Sequence, residues 1–233
     1  MYNRRIELYN DKIGSVDYVS HMGEDLTVVN SARVSFGVEK NELDEKDKRL
    51  INYLIKHRHT STLEHNLVTF RFCVPLFVRS QHHRHRTWSY NEISRRYTDI
   101  NIRFYEPDTF RTQHKSNRQA SNTEELVNPD ISWDGETCAE AVRVHHRRSL
   151  NFYNMLIEKG VCREQARGVL PQNLYTEYYG TVNLSNLLKF IDLRTHEGAQ
   201  WEIQKVAEAC LEIATDLFPE TVGAYRKIKE SND

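Results

Sequence analysis

Glycine is scarce in this sequence, 9 in 233 residues, and no two glycines are separated by a single residue. A G-x-G-x-x-G fingerprint is thereby excluded, and with it a Rossmann-type dinucleotide domain. Cysteine is also sparse. Cys73, Cys138, Cys162 and Cys210 are scattered and form no C-x-x-C pair, which leaves no zinc ribbon and no thioredoxin-like motif. A reduced, cytoplasmic setting is the simplest expectation. Long apolar runs are missing. The stretch Val74-Pro75-Leu76-Phe77-Val78 is among the longest, far short of the roughly 20 residues a spanning helix needs. The start, Met1 to Glu7, lacks the apolar core of a secretory signal, so no membrane association is expected. Excess charge is missing too. The 32 Lys and Arg against 33 Asp and Glu leave a formal net charge of −1. A bulk nucleic-acid binder or membrane-surface protein would carry a strong basic excess. Any anion site must therefore be a local concentration of arginine.

What is present is a moderate apolar content of 39%, with 11 histidines and 12 tyrosines. That suffices for a core in one domain over residues 1–233, with oligomer contacts expected to add burial. The first thirty residues alternate loosely and suggest a strand or two. Lys46 to His57 reads as a helix from the spacing of Leu50, Ile51, Leu54 and Ile55. Asn66 to Val74 reads as a strand with Val68, Phe70, Phe72 and Val74 on one face. Pro75 suits the first turn of a following helix to about Arg86. Tyr97 to Tyr105 reads as a returning strand, and residues 107–135 as a polar, turn-rich surface excursion. A long helical stripe from Cys138 to Ile157 can close at Gly160. A short helix at Arg163–Val169, an extended Leu174–Val182, a helix at Asn186–Arg194 and a last long helix from about Ala199 to Phe218 complete the reading. The class is α+β: a mixed or antiparallel sheet flanked by helices, with a helix-rich C-terminal half.

The chemistry concentrates in Gln81-His82-His83-Arg84-His85-Arg86-Thr87-Trp88-Ser89-Tyr90-Asn91-Glu92-Ile93-Ser94-Arg95-Arg96-Tyr97. On a helix Gln81 and Arg84 share a face, with His85 alongside. Arg84 and Arg86 then point to different sides of the helix end, an arrangement for two separate anions. The plain alternative is a solvated basic helix end with a few ion pairs, but Trp88, Tyr90, Asn91 and Tyr97 suit planar ligands better than open solvent. Binding of single-stranded nucleic acid has no second basic region to support it. His57, His59, His65, His82, His83 and His85 carry no H-E-x-x-H or Cys/His spacing, so no metal is expected. Ser89 and Ser94 lack a G-x-S-x-G elbow.

The pattern R-H-R-x-x-S-x-N-E-x-S-x-R-Y is met at every specified position from Arg84 to Tyr97, and this segment resembles the signature of the flavin-dependent thymidylate synthases. The resemblance extends to Ala32-Arg33-Val34-Ser35-Phe36, to His57-Arg58-His59-Thr60-Ser61-Thr62-Leu63-Glu64-His65, to Arg163-Glu164-Gln165-Ala166-Arg167 with Leu170-Pro171, and to Leu193-Arg194 with Ala199-Gln200-Trp201-Glu202-Ile203. It implies reductive methylation of dUMP to dTMP, with methylenetetrahydrofolate as one-carbon donor, NADPH as reductant through bound FAD, and tetrahydrofolate as product. It also implies a homotetramer with sites shared between subunits. By resemblance, Ser61, Arg84, His85, Arg86, Glu92, Asn183, Ser185, Lys189 and His59 face FAD. Gln81, Arg84, Glu92, Ser94, Arg95, Arg96, Arg167 and Arg194 would hold dUMP, and Arg194 would activate it. A guanidinium stays protonated, so Arg194 is expected to stabilise negative charge at the uracil edge rather than act as a base. The chain departs from the family pattern at Leu184-Ser185, where Arg is expected after Asn183, at Lys189 for Asn or His, at Gly198 for His, and at His82-His83 for an apolar pair.

Overall fold

The computed structural model describes residues 4–131 and 136–231. Met1 to Asn3, read above for a leader, and residues 132–135 of the polar excursion lie outside the described residues. Along the chain run β1 (Arg5–Glu7), β2 (Ser15–Met22), α1 (Asp25–Arg33), α2 (Glu45–Lys56), β3 (Leu67–Pro75), α3 (Leu76–His82), β4 (Ser89–Glu92), β5 (Phe110–Gln113), β6 (Ser121–Val127), β7 (Asp130–Ile131) and β8 (Glu136–Thr137). Then follow α4 (Cys138–Glu158), α5 (Arg163–Ala166), β9 (Tyr175–Asn183), α6 (Leu184–Arg194), α7 (Trp201–Leu217) and α8 (Pro219–Glu230).

The main sheet has the order β1-β2-β3-β9-β4, and each pairing is antiparallel. Its centre is the β3–β9 pair, in register from Leu67 opposite Asn183 to Pro75 opposite Tyr175. The alternation read in the sequence is the one observed. Val68, Phe70, Phe72 and Val74 are fully buried beneath α6 and α7, whose Leu184, Leu187, Phe190, Ile203, Val206 and Cys210 join the same core. A smaller cluster of Tyr153, Ala166, Leu170 and Leu174 seats α4.

Local chemistry sets the helix ends. Asp44 caps α2 by accepting from the Lys46 and Asp47 amides at 2.7 and 2.9 Å, and Thr137 with Glu140 forms a capping box on α4. Gly160, at φ 86°, takes the left-handed conformation after α4. The start of α8 is capped from a distance. Buried Asp25 of α1 accepts from the Glu220 and Thr221 amides at 2.8 and 2.9 Å, where a carboxylate also meets the positive end of the helix dipole.

Several expectations need correction. α3 ends at His82 rather than near Arg86; Pro75 precedes it as the N-cap, and the basic motif leaves the helix as turns. Tyr97–Tyr105 is not a strand. Only Phe104 makes a bridge, to Leu174, and the edge position on β9 belongs to Ser89–Glu92. Asp25–Arg33 is helical where strands were read, and α8 extends the C-terminal helices beyond Phe218. The polar excursion contains the β5–β6 hairpin.

Gly180 lies in β9 where a Cβ would come within 2.9 Å of Phe72 and 3.1 Å of Trp88. Valine favours strands, yet Gly180→Val should destabilise by about 1–3 kcal/mol through overpacking, read as a lower urea midpoint at unchanged m-value.

Candidate active site

The sequence-selected residues fall into three groups. The first lies at the C-terminal ends of α3 and α6. Half-buried Arg194 donates from Nε to His85 Nε2 at 3.0 Å and from Nη2 to the Gln81 carbonyl at 3.4 Å. His85 Nε2 therefore carries a lone pair and its ring is neutral. Burial and the Arg194 charge hold its pKa down at about 4. Behind it His82 is wholly buried among Phe72, Trp88 and Phe190 and bonds Tyr178 Oη through Nδ1 at 2.8 Å. Burial keeps that ring neutral as well. Tyr90 Oη donates to the His82 and His85 carbonyls at 3.0 and 3.2 Å, pinning the turn that carries the motif. Arg84 and Arg86 project from this turn as exposed side chains. The expected common helical face of Gln81, Arg84 and His85 is replaced by this turn.

The second group lines a cavity of about 600 Å³ formed by Leu76, Arg79, the segment 92–96, Arg167, Gly168 and the start of β9. Glu92, Ser94, Arg95, Arg96 and Arg167 all reach its wall. Glu92 is held by Thr176 Oγ1 at 2.7 Å and pairs with Arg79 at 3.2 Å. Arg96 and Arg167 are exposed, and the Arg96 guanidinium lies over the Tyr97 ring with Nη2 on its hydroxyl at 2.9 Å. Arg95 differs from its neighbours. It is buried and donates to the Ile100 and Asn101 carbonyls at 2.5 and 3.3 Å, so it braces the loop beneath the cavity. Two exposed arginines, neither of them paired to a carboxylate among the described residues, and a serine suit a phosphate.

The third group surrounds a cavity of about 610 Å³ between α2, α6 and α8, lined by His59, Lys56, Arg58, Ser185, Lys189 and Lys229 among others. The Ser185 hydroxyl is buried there without a hydrogen-bond partner among the described residues. Ser61 is exposed on the adjoining 3-10 turn. Asn183 is committed to capping α6, accepting from the Asn186 amide at 2.9 Å. Cations around an unpaired hydroxyl fit the phosphates of a large anionic cofactor. Among the described residues, no group of three His, Cys, Asp or Glu side chains is placed to hold a metal ion. None of their helices is long and apolar enough to cross a membrane. Cys73 and Cys210 are buried, with thiol pKa values pushed up, that of Cys73 to about 11. Cys138 is only partly buried, against the expectation of a buried stripe, and Cys162 is exposed.

The sequence reading assigned no role to the polar network behind Gln81. Gln81 Nε2 donates to Gln200 Oε1, and Gln200 Nε2 to Glu202 Oε2 at 2.9 Å. The available signal was Glu202 itself, an acidic residue beside the apolar stripe of α7.

Neutral histidines, exposed arginines and two cavities of about 600 Å³ are the candidate parts of an enzyme site. Residues 17–220 match the family model described as thymidylate synthase complementing protein. A flavin-dependent thymidylate synthase of Thermus thermophilus is 44% identical over 216 residues, 92% of this chain and 76% of that protein. The one of Thermotoga neapolitana is 40% identical over 220 residues, 94% of each. The crystal structure of the UMP/dUMP methylase PolB from Streptomyces cacaoi bound with 5-Br dUMP superposes with a TM-score of 0.81 at 33% identity, covering 95% of this chain and 97% of that one. The chain belongs to the thymidylate synthase complementing protein family, that of the flavin-dependent thymidylate synthases.

The His85 ring carries a pH prediction. Unfolded, it takes a proton near its ordinary 6.5; folded, it waits until about 4. Its contribution is intact above pH 6.5 and is lost as pH falls from there toward 4, where the Arg194 bond breaks. NMR titration of the His85 imidazole should show a midpoint near 4; an ordinary midpoint would mean that the bond is absent.

Proposed function

We propose that this chain converts dUMP to dTMP, taking the one-carbon unit from methylenetetrahydrofolate and reducing equivalents from NADPH through bound FAD, and releasing tetrahydrofolate. In balance, the methylene carbon bonds to uracil C5, its two bonds to folate nitrogens break with each nitrogen taking up a proton, C5 gives up its proton, and a hydride completes the methyl group. The observation that carries the reading is Arg194, fixed by His85 and the Gln81 carbonyl, with its remaining guanidinium N–H groups uncommitted among the described residues.

Ser94, Arg96 and Arg167 hold the dUMP phosphate, Glu92 and Gln81 its sugar and base side, and Arg95 supports the loop. Arg194 stabilises negative charge developing at the uracil N3 and carbonyl edge, and the enolate character this gives the ring raises electron density at C5. The wholly buried Cys210, with its thiol pKa pushed up by burial, is a poor candidate for nucleophilic addition. Arg84, His85 and Arg86 take the flavin side with His59. Ser61, Asn183, Ser185 and Lys189 take the rest of the cofactor, with the unpaired Ser185 hydroxyl and the Lys189 ammonium as its donors. Bound FAD supplies a carrier that accepts hydride from NADPH and passes it on. The active form is a homotetramer with shared sites in the cytoplasm. Val34 and Phe36, 73% and 81% exposed, offer apolar surface for such contacts.

The purified protein should be yellow, bleach with NADPH, and turn over dUMP only when the folate is present. Arg194→Ala should keep the flavin spectrum while kcat falls on the order of 10²–10³-fold; normal turnover would remove Arg194 from the activating role. Arg96→Ala should raise the dUMP Kd about tenfold or more by losing a charge-assisted phosphate contact, measured by equilibrium dialysis, and unchanged affinity would remove it from the phosphate site.

A further inference from the structure

A buried relay stands behind Gln81, and its polarity is set from the far end. Glu202, in the first turn of α7, has only 4% of its side chain exposed. Its Oε1 accepts from Arg111 Nη2 at 2.6 Å and from the Tyr105 hydroxyl at 3.3 Å. Burial and the neighbouring Glu202 charge push the Tyr105 pKa up, so that hydroxyl stays a donor. A carboxylate held by a guanidinium and a phenol offers acceptors alone. Gln200 must therefore turn its NH₂ group toward Glu202, as it does at 2.9 Å. Its carbonyl then points the other way and accepts from Gln81 Nε2. One of the two Gln81 N–H donors is taken by Gln200, which fixes the amide orientation and turns Oε1, its only acceptor, away from Gln200.

The Arg194 guanidinium is bonded to the main-chain carbonyl of the same Gln81. If both side chains meet one base, they present it with an acceptor and donors. A uracil ring has the complementary order, an N3–H beside a carbonyl. Cytosine reverses it, with a bare N3 beside an amino group. Turning the Gln81 amide over would bring its carbonyl against that of Gln200, so the relay resists the switch.

We propose that Glu202 and Gln200 are positioning residues that lock the Gln81 amide oxygen outward, and that this lock makes the site accept uracil nucleotides and reject cytosine nucleotides. Arg111 belongs to β5 of the polar excursion, so the excursion anchors the base-reading end of the site. The inference rests on the reading that Gln81 and Arg194 face the base of the substrate.

The test is titration of the flavin-loaded enzyme with dUMP and with dCMP, followed by flavin absorbance, to give the ratio of the two Kd values. The wild type should prefer dUMP by about 100-fold or more, as a site built to bond a ring N–H does. Gln200→Met keeps the side-chain length but frees the Gln81 amide to rotate. The ratio should fall by about tenfold or more, through weaker dUMP and equal or tighter dCMP binding. Glu202→Gln should move it in the same direction, since an amide can donate or accept. A ratio within about twofold of wild type, in either variant with its flavin spectrum retained, overturns the proposal. So does a wild type that binds dCMP as tightly as dUMP, with no variant needed. A wild type that binds neither nucleotide refutes the underlying substrate reading instead, which keeps the two failures apart.

Discussion

The antiparallel pairing of β3 with β9 is the constraint from which the site follows. α3 springs from the end of β3 at Pro75, and α6 from the end of β9 at Asn183, at opposite ends of the same nine-residue register. Eight steps of strand span roughly 26 Å. Seven residues of α3 and eleven of α6 rise about 10 and 16 Å if straight. Two helices starting from opposite ends and running toward each other along the sheet close that span tip to tip. The observed contacts agree, with Phe190 of α6 beside His82 of α3 at a 4.7 Å ring separation and Arg194 on the Gln81 carbonyl. A slip of the β3–β9 register would turn the core-facing phenylalanines outward and separate the two helix ends together.

This meeting of two C-termini explains the electrostatics. Both helices bring unsatisfied carbonyls and negative partial charge to the same place, which supports the half-buried Arg194 guanidinium without a carboxylate. The side chain that receives it, His85, is neutral by burial and by the presence of the cation. Arg194 is therefore held by groups that do not neutralise it. Had Arg194 been paired to an Asp or Glu, its charge would have been spent before any ligand arrived.

How much of this was legible depends on the range of the forces involved. β3 and the presence of α4 were readable because side-chain period alone decides them, but the buried face of α4 carries Ala139, His146 and Tyr153, while His145 and Phe152 of the stripe read from the sequence are exposed. The motif residues were readable as a set because their types are unusual together. β4 was not. Ser89, Asn91 and Glu92 carry no strand pattern, and the segment is extended because Trp88 is anchored among Phe70, Phe72 and Phe190 while Tyr90 ties back to two carbonyls. α8 was missed for a similar reason, since its cap, Asp25, stands 196 residues before Thr221. α1 was legible in principle, because Glu24 and Thr27 form a local capping box. The relay behind Gln81 needed Arg111, 91 residues from Glu202, and no periodicity reports such a pair.

The distribution of the three groups bears on assembly. The two cavities share no lining residue, and neither includes Gln81, His85 or Arg194. One chain thus carries an arginine-lined cavity, a lysine-lined cavity with an unpaired hydroxyl, and a half-buried arginine at a helix junction, each on its own framework. On the proposed reading, a dUMP molecule would engage phosphate and base groups at once, with the cofactor close by. The separation of these parts on one copy supports the proposal that neighbouring copies complete each other's sites. It also gives the relay a specific value. Gln81 and Arg194 are fixed to each other within one chain, so on that proposal the base-reading geometry is set by folding and a neighbouring copy has only to deliver the phosphate end.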